Sequence, residues 1–236
     1  MPRTKTSEIS AEGLRAVRLL QGIPEAALKA LSRRCRWRRY PAGQCILSRA
    51  AVDRDVYLIV AGSVRVTSFS AAGRQVTYRD IPAGDWFGDF AAIDGLSRSA
   101  DVIALEDSLV ASMEPAAFDK LLHTHRSVCD LTLRRLVTSV RELTDRVFEF
   151  STLGVQNRVH AEVLRLARDA GVINNAATIT PAPKHADIAS HVSTYREQVA
   201  REFSAMVRQG LVRRAGKALV VPDVMRLQKL VEEVRR

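Results

Sequence analysis

The chain has 236 residues, 47% of them hydrophobic and 26% charged, with a formal net charge of +10. No apolar run approaches the ~18 residues of a membrane span, and MPRTKTSEIS lacks a signal peptide's apolar core, so a cytoplasmic protein with no membrane partner is expected. Residues 1–150 hold 22 Lys and Arg against 18 Asp and Glu, while residues 151–236 hold 14 against 8, which favours a polyanionic partner at the C-terminal end.

Leu14, Val17, Leu19, Leu20, Leu28 and Leu31 recur near helical spacing. They predict helix over 7–35, broken at Gly22-Ile23-Pro24. From Tyr40 the texture changes. Short β-rich runs at 45–47, 56–60, 63–69, 76–80, 102–104 and 108–113 are separated by Gly, Pro and Asp turns, with hairpins predicted at Ala61-Gly62 and Ala72-Gly73. Many short strands at this spacing predict a β-roll or barrel. Pro115, well placed in a first turn, opens a helix over 116–123.

The stretch 84–100, GDWFGDFAAIDGLSRSA, carries the chemistry of this half. Gly88 offers backbone N–H groups and Asp89 a carboxylate. Arg98 adds a planar cationic fork and Ser99 a hydroxyl. N–H groups at a helix start and an arginine fork bind phosphate oxygens, and a carboxylate accepts from a ribose 2′-OH. Together they suit a small ligand with one phosphate and one ribose hydroxyl.

In the next element Cys129, Leu133, Leu136, Val140, Leu143, Val147 and Phe150 fall at intervals 4-3-4-3-4-3. This a/d seam predicts one long helix. It lies either on its own domain's core or against a parallel partner helix. The strict spacing and the polar residues between favour the partner, hence a homodimer. Residues 151–155 then read as a hinge in which Gly154 absorbs a backbone change. A helix is predicted over 156–169, followed by a polar, proline-bearing loop at 171–183, read as a flexible link.

Residues 185–205, HADIASHVSTYREQVAREFSA, fit a helix-turn-helix. Ile188, Val192 and Val199 pack the two helices, Ala189 is small at the crossing, and Ser193-Thr194 makes the turn, with Thr194 as a cap for the second helix. Arg196, Glu197 and Arg201 span about 140° of one face, which can lie in a major groove. Arginine forks onto guanine and glutamate accepts from cytosine N4. An i,i+4 ion pair between Glu197 and Arg201 is the structural alternative. Residues 210–221 alternate as a hairpin with Arg213, Arg214 and Lys217 exposed to phosphates, and a final helix follows from 223.

Cys35, Cys45 and Cys129 are scattered without CxxC, which suits neither a disulfide framework nor a zinc site. The five histidines show no HExxH spacing, and no nucleophile elbow or Walker loop appears. No metal and no enzyme activity are expected.

Phe87-Gly88-Asp89, Ala91 and Arg98-Ser99-Ala100 resemble the phosphate-binding cassette F-G-E-x-A…R-S/T-A of the CRP/FNR family. In order along the chain, β-roll, long helix and winged helix resemble that family over roughly residues 15–225. The fold so implied is α+β: an N-terminal β-roll of the cyclic-nucleotide-binding type, a long dimerisation helix and a C-terminal winged helix-turn-helix. The implied domains are 1–125 (sensor with flanking helices), 126–153 (dimerisation helix and hinge) and 154–236 (DNA binding).

The resemblance implies a homodimeric transcription regulator controlled by a cyclic nucleotide, cAMP ahead of cGMP. Gly88, Asp89, Phe90, Arg98 and Ser99 would bind it, and Thr144 on the long helix would meet the base. Asp89 stands where the family mostly carries Glu, one methylene shorter. Leu143-Thr144 stands where cAMP-binding relatives have two hydroxyl residues. These departures motivate the alternative, a regulator that needs no cyclic nucleotide. R-E-Q-V-A-R at 196–201 resembles a recognition helix that reads TGTGA-type half-sites. Thr194, Tyr195, Arg196, Glu197, Arg201, Arg213 and Lys217 would then contact a palindromic double-stranded DNA site, with RNA polymerase as a further implied partner.

Overall fold

The computed structural model describes residues 11–235. The start of the first predicted helix, residues 7–10, lies outside them. One compact unit runs to Ser139 and a second begins at Val140, so the long helix contributes to both.

The first unit opens with α1 (Ala11–Arg15), a single 3-10 turn (Arg18–Leu20) and α2 (Glu25–Arg34). The helix is thus broken at Gly22-Ile23-Pro24 as expected, and a second time after Arg15. The strands are β1 (Arg36–Tyr40), β2 (Cys45–Leu47), β3 (Val56–Ala61), β4 (Ser63–Phe69), β5 (Gln75–Pro82), β6 (Trp86–Phe87), β7 (Asp101–Ala104) and β8 (Ser108–Met113). Two antiparallel four-stranded sheets result, in the orders β1-β8-β3-β6 and β2-β7-β4-β5. α3 (Asp89–Asp94) separates β6 from β7, and α4 (Pro115–Thr124) leads into α5 (Arg126–Thr152).

Period-two alternation divides this unit's core. Val56 and Leu58 of β3, Trp86 of β6 and Met113 of β8 point to a cluster with Leu14, Leu20 and Phe118 from the helices. Tyr57, Ile59, Phe87 and Val110 point the other way, into a cluster with Val64, Ile81 and Val102 of the second sheet. In this unit the sequence pattern misses β1 and the two-residue β6. β1 is the longer of the two. With Arg36, Arg38 and Arg39 among its five residues it shows no apolar alternation, and it can carry them because it pairs only with β8, at a sheet edge.

The second unit holds α6 (Val155–Asp169), β9 (Val172–Ile173), β10 (Ala176–Ile179), α7 (His185–His191), α8 (Arg196–Arg208), β11 (Arg213–Ala215), β12 (Ala218–Val221) and α9 (Val224–Arg235). Its four strands form one sheet in the order β11-β12-β10-β9. Val159, Val163, Ile188, Val199, Phe203, Met206, Leu219 and Leu227 fill a common core.

The reading of 171–183 as a flexible link is corrected. Asn174 and Asn175 both take positive φ, 49° and 61°, which is the turn geometry that joins two antiparallel strands. Asn175 also donates to Asp223 Oδ1 at 2.9 Å and accepts from the Met225 N–H at 2.9 Å, fixing the start of α9. Ala177 and Ile179 are buried. The small residues Ala176-Ala177 hide the alternation in the sequence. Among the described residues no helix is long and apolar enough to cross a membrane.

Candidate anion pocket and nucleic-acid interface

Gly88 ends β6 and starts α3 with φ of 86°, a left-handed conformation that only glycine adopts without strain. Space demands glycine as well: a Cβ there would stand 2.7 Å from the Asp55 carbonyl oxygen and 3.0 Å from Arg98 Nη1. The next residue, Asp89, is 2% exposed, and its Oδ2 is buried with no hydrogen-bond partner. Phe90 and Ser99 are exposed beside it.

Arg98 is 3% exposed. Its Nη1 donates to the Gly88 carbonyl at 2.9 Å. Its Nη2 donates to Asp53 Oδ1 at 2.6 Å and to the Asp55 carbonyl at 2.9 Å. Its Nε is buried without a partner. The guanidinium lies 5.7 Å from the centroid of the Tyr57 ring, which stacks on Phe87 at 4.9 Å. A polar atom buried without a partner costs free energy, so both Asp89 Oδ2 and Arg98 Nε call for a ligand group.

Asp53 and Tyr57 escape the sequence analysis. The Tyr57 hydroxyl donates to Asp53 Oδ1 at 3.0 Å. Partial burial raises the Asp53 pKa, but the hydrogen bonds from Arg98 and Tyr57 outweigh it and leave the carboxyl below its usual value. Burial and the hydrogen bond to Asp53 push the Tyr57 phenol well up. The one signal in the sequence is Asp53-Arg54-Asp55 placed just before a buried strand.

Arg135 is a further largely buried cation that no sequence motif marks. From the first part of α5 it donates to Asp85 Oδ1 and to the Trp86 carbonyl, with its guanidinium 4.1 Å from the Trp86 ring centroid. Burial lowers its pKa, Arg79 adds to that, and Asp89 and Asp85 oppose it. Asp89 therefore feels a buried cation from the long helix. Thr144, further along α5, is exposed, and its hydroxyl donates to the Val140 carbonyl at 2.9 Å. Of the seam, Leu133, Val140, Leu143, Val147 and Phe150 are exposed, while Cys129 and Leu136 are half-buried.

In the second unit α7 and α8 form the expected helix-turn-helix, with Ser193 at φ 50° in the turn. Ile188, Ala189, Val192 and Val199 are buried together. Tyr195, Arg196, Glu197 and Arg201 are exposed. The expected cap is corrected: Tyr195 is the residue at the N-cap and its side chain makes no capping hydrogen bond, while Thr194 is buried and donates to Gln198 Oε1 at 2.9 Å. A threonine hydroxyl one residue too early reaches the Gln198 side chain rather than an orphan N–H.

β11 and β12 build the wing, and Arg213, Arg214 and Lys217 are exposed on it. His185 joins the two elements. Its ring is 4.9 Å from Phe203, and its pKa is lowered by burial and then by Arg214 and Arg196. One imidazole thus senses an arginine of the wing and an arginine of the helix at once. Among the described residues no group of three or more His, Cys, Asp or Glu could hold a metal ion.

Comparison with known proteins accounts for both halves. Residues 37–125 match the cyclic nucleotide-binding domain and residues 157–230 match the Crp-like helix-turn-helix domain. A CRP-like cAMP-activated global transcriptional regulator of Mycobacterium tuberculosis is 22% identical over 212 residues, 89% of this chain and 95% of its own length. The cyclic AMP receptor protein of Thermus thermophilus is 26% identical over 193 residues, 82% of this chain and 87% of its own. A CooA variant from Carboxydothermus hydrogenoformans shares the fold, with a TM-score of 0.74, 16% identity, and coverage of 84% of this chain and 88% of that one. Gly88 and Arg98 fall inside the first matched span and the 196–201 helix inside the second, and the chain belongs to the CRP/FNR family of DNA-binding transcription regulators.

Proposed function

We propose that this regulator is a cytoplasmic homodimer whose affinity for DNA answers to a cyclic nucleotide, cAMP ahead of cGMP. The observation that carries the reading is the pair of buried, unsatisfied polar atoms flanking Gly88: the Arg98 Nε donor and the Asp89 Oδ2 acceptor. A cyclic phosphate offers an acceptor to the first and a ribose 2′-OH offers a donor to the second. Gly88 offers backbone N–H groups to the phosphate, Phe90 and Ser99 lie exposed beside it, and Thr144 meets the base. The exposed seam of α5 supports the homodimer.

At the output end, Arg196, Glu197 and Arg201 read base edges of a palindrome with TGTGA-like half-sites, while Thr194, Tyr195, Arg213 and Lys217 lie along the phosphates. RNA polymerase is the partner through which binding acts on transcription. The ligand shifts the balance only as far as it binds the DNA-competent state more tightly.

Calorimetric titration with cAMP and with cGMP tests the effector, and heat is expected at ~100 μM nucleotide or below. Fluorescence anisotropy on a TGTGA-type palindrome tests the output: Glu197→Ala should relax preference at one position, at ~1–3 kcal/mol. Unchanged preference removes Glu197 from base reading. A second reading, the same regulator without a cyclic nucleotide, is favoured by one observation: Arg98 already holds a carboxylate. Silence in both titrations selects it.

A further inference from the structure

The Arg98 guanidinium carries an anion that belongs to the protein itself. Asp53 Oδ1 accepts from Arg98 Nη2 at 2.6 Å and from the Tyr57 hydroxyl at 3.0 Å, and the Asp55 N–H points at it from 3.4 Å. A charge-assisted contact of this kind is what a phosphate oxygen makes with an arginine.

The two partners differ in freedom. The Arg98 side chain is 2% exposed and the Asp53 side chain 41%. Arg98 is also tied to the carbonyls of Gly88 and Asp55. Asp53 sits in the segment between β2 and β3, outside regular structure, and can turn into water. Its neighbour Asp55 is anchored separately by an ion pair to Arg36. An exchange of anions on Arg98 therefore moves Asp53 and leaves Arg98 in place. Asp53 leaves Arg98 Nε unsatisfied, whereas a phosphate has further oxygens for it.

We infer that Asp53 is a built-in competitor for the phosphate site, held in position by Tyr57, and that a ligand binds by displacing its carboxylate from Arg98. This rests on the reading that phosphate docks at Gly88 and Arg98. A buried arginine without a ligand needs a counter-charge, and Asp53 supplies it. The same contact lowers the affinity for any anion, so Asp53 sets how much effector is needed.

The test compares the full-length wild type with Asp53→Asn and Tyr57→Phe, each first checked for cooperative thermal unfolding. Asp53→Asn keeps the side chain's shape and removes its charge. Tyr57→Phe keeps the ring stacked on Phe87 and frees Asp53, so it serves where Asp53→Asn fails to fold. Calorimetry measures cAMP and cGMP. Thermal shift in millimolar phosphate, against chloride of equal ionic strength, measures the bare anion.

The expected result is binding at least about tenfold tighter in Asp53→Asn, a factor worth ~1.4 kcal/mol, and a smaller gain in Tyr57→Phe. Equal or weaker binding in both variants overturns the inference and leaves the effector reading standing. If neither nucleotide binds any of the three proteins but phosphate stabilises Asp53→Asn more than wild type, the inference stands and the effector reading falls. No response to any anion in any of the proteins overturns both.

Discussion

Arg146 near the end of α5 donates from Nη2 to the carbonyl of His191, the last residue of α7, at 2.7 Å. Arg158 of α6 works beside it, donating to the Val192 carbonyl at 3.1 Å and to the Leu153 carbonyl at 2.9 Å. Two arginines thus cap the C-terminal end of the first helix of the helix-turn-helix, where orphan carbonyls and the helix dipole favour a cation. Burial lowers the Arg146 pKa, and Glu162 opposes the shift. The connection between α5 and α6 is therefore braced, and Gly154 sits there at φ −61°, needing none of a glycine's latitude. Arg146→Met should cost about 1.5–3 kcal/mol, the range for hydrogen bonds to charged groups, read as an earlier loss of helical circular dichroism on heating. An unchanged melting curve would remove the brace.

Gly88→Ala is expected to be expensive for its size. The added methyl meets the Asp55 carbonyl at 2.7 Å, and the left-handed φ adds strain of ~1–3 kcal/mol. The melting temperature should drop, and the response to cyclic nucleotide should vanish even where the protein still folds at 25 °C. Recovery of that response in Gly88→Ala would mean that the ligand does not approach the backbone here.

Leu143→Glu places a charge in the exposed seam of α5. If the seam pairs with a second copy, sedimentation should show a shift from dimer to monomer, and affinity for a palindrome should fall at unchanged affinity per half-site. Truncating one seam leucine in a paired helix costs roughly 2–5 kcal/mol per buried side chain, so the shift should be plain at micromolar concentration. Unchanged sedimentation would put the interface elsewhere.

The second unit should weaken in acid. His160 and His185 both have lowered pKa values; burial leads in each case, with Glu202 opposing it for His160 and Arg214 and Arg196 adding to it for His185. The unfolded chain then takes up protons that the folded one refuses. The stability is full above the unfolded value of about 6.5 and is lost as pH falls through it. Both tryptophans, Trp37 and Trp86, lie in the first unit. Helical dichroism should therefore melt earlier at pH 5.5 than at pH 7.5 with little change in tryptophan emission, and His160→Gln should flatten the difference. DNA phosphates placed near His185 would raise its pKa, so affinity for DNA should rise as pH drops from 7.5 towards 6, provided the fold survives.

Sequence pattern revealed most where one physical cause acted alone. The short β-rich runs of β3, β4 and β8 between turn residues, the heptad spacing along α5 and the Gly88–Arg98 cassette each follow from a single pattern or a single chemistry. It failed where two causes met. β10 packs small residues whose alternation is faint, and its turn depends on two asparagines with left-handed backbones. Asp53 lies 45 residues from Arg98, and only the meeting of β3 with the cassette brings them together. The residue type of Thr194 suits a cap, yet its place in the turn directs the hydroxyl towards Gln198.

The arginines of β1 have a consequence for how the protein behaves in a crowded solution. An outermost strand presents unpaired N–H and C=O groups, to which a strand of another molecule can add itself. Arg36, Arg38 and Arg39 line this rim with exposed positive charge, and Arg33 and Arg34 continue it from the end of α2. Two such rims repel each other, which opposes the addition of a further strand at this edge. Replacing those arginines by Val or Thr would make a better strand by propensity and a worse protein by solubility.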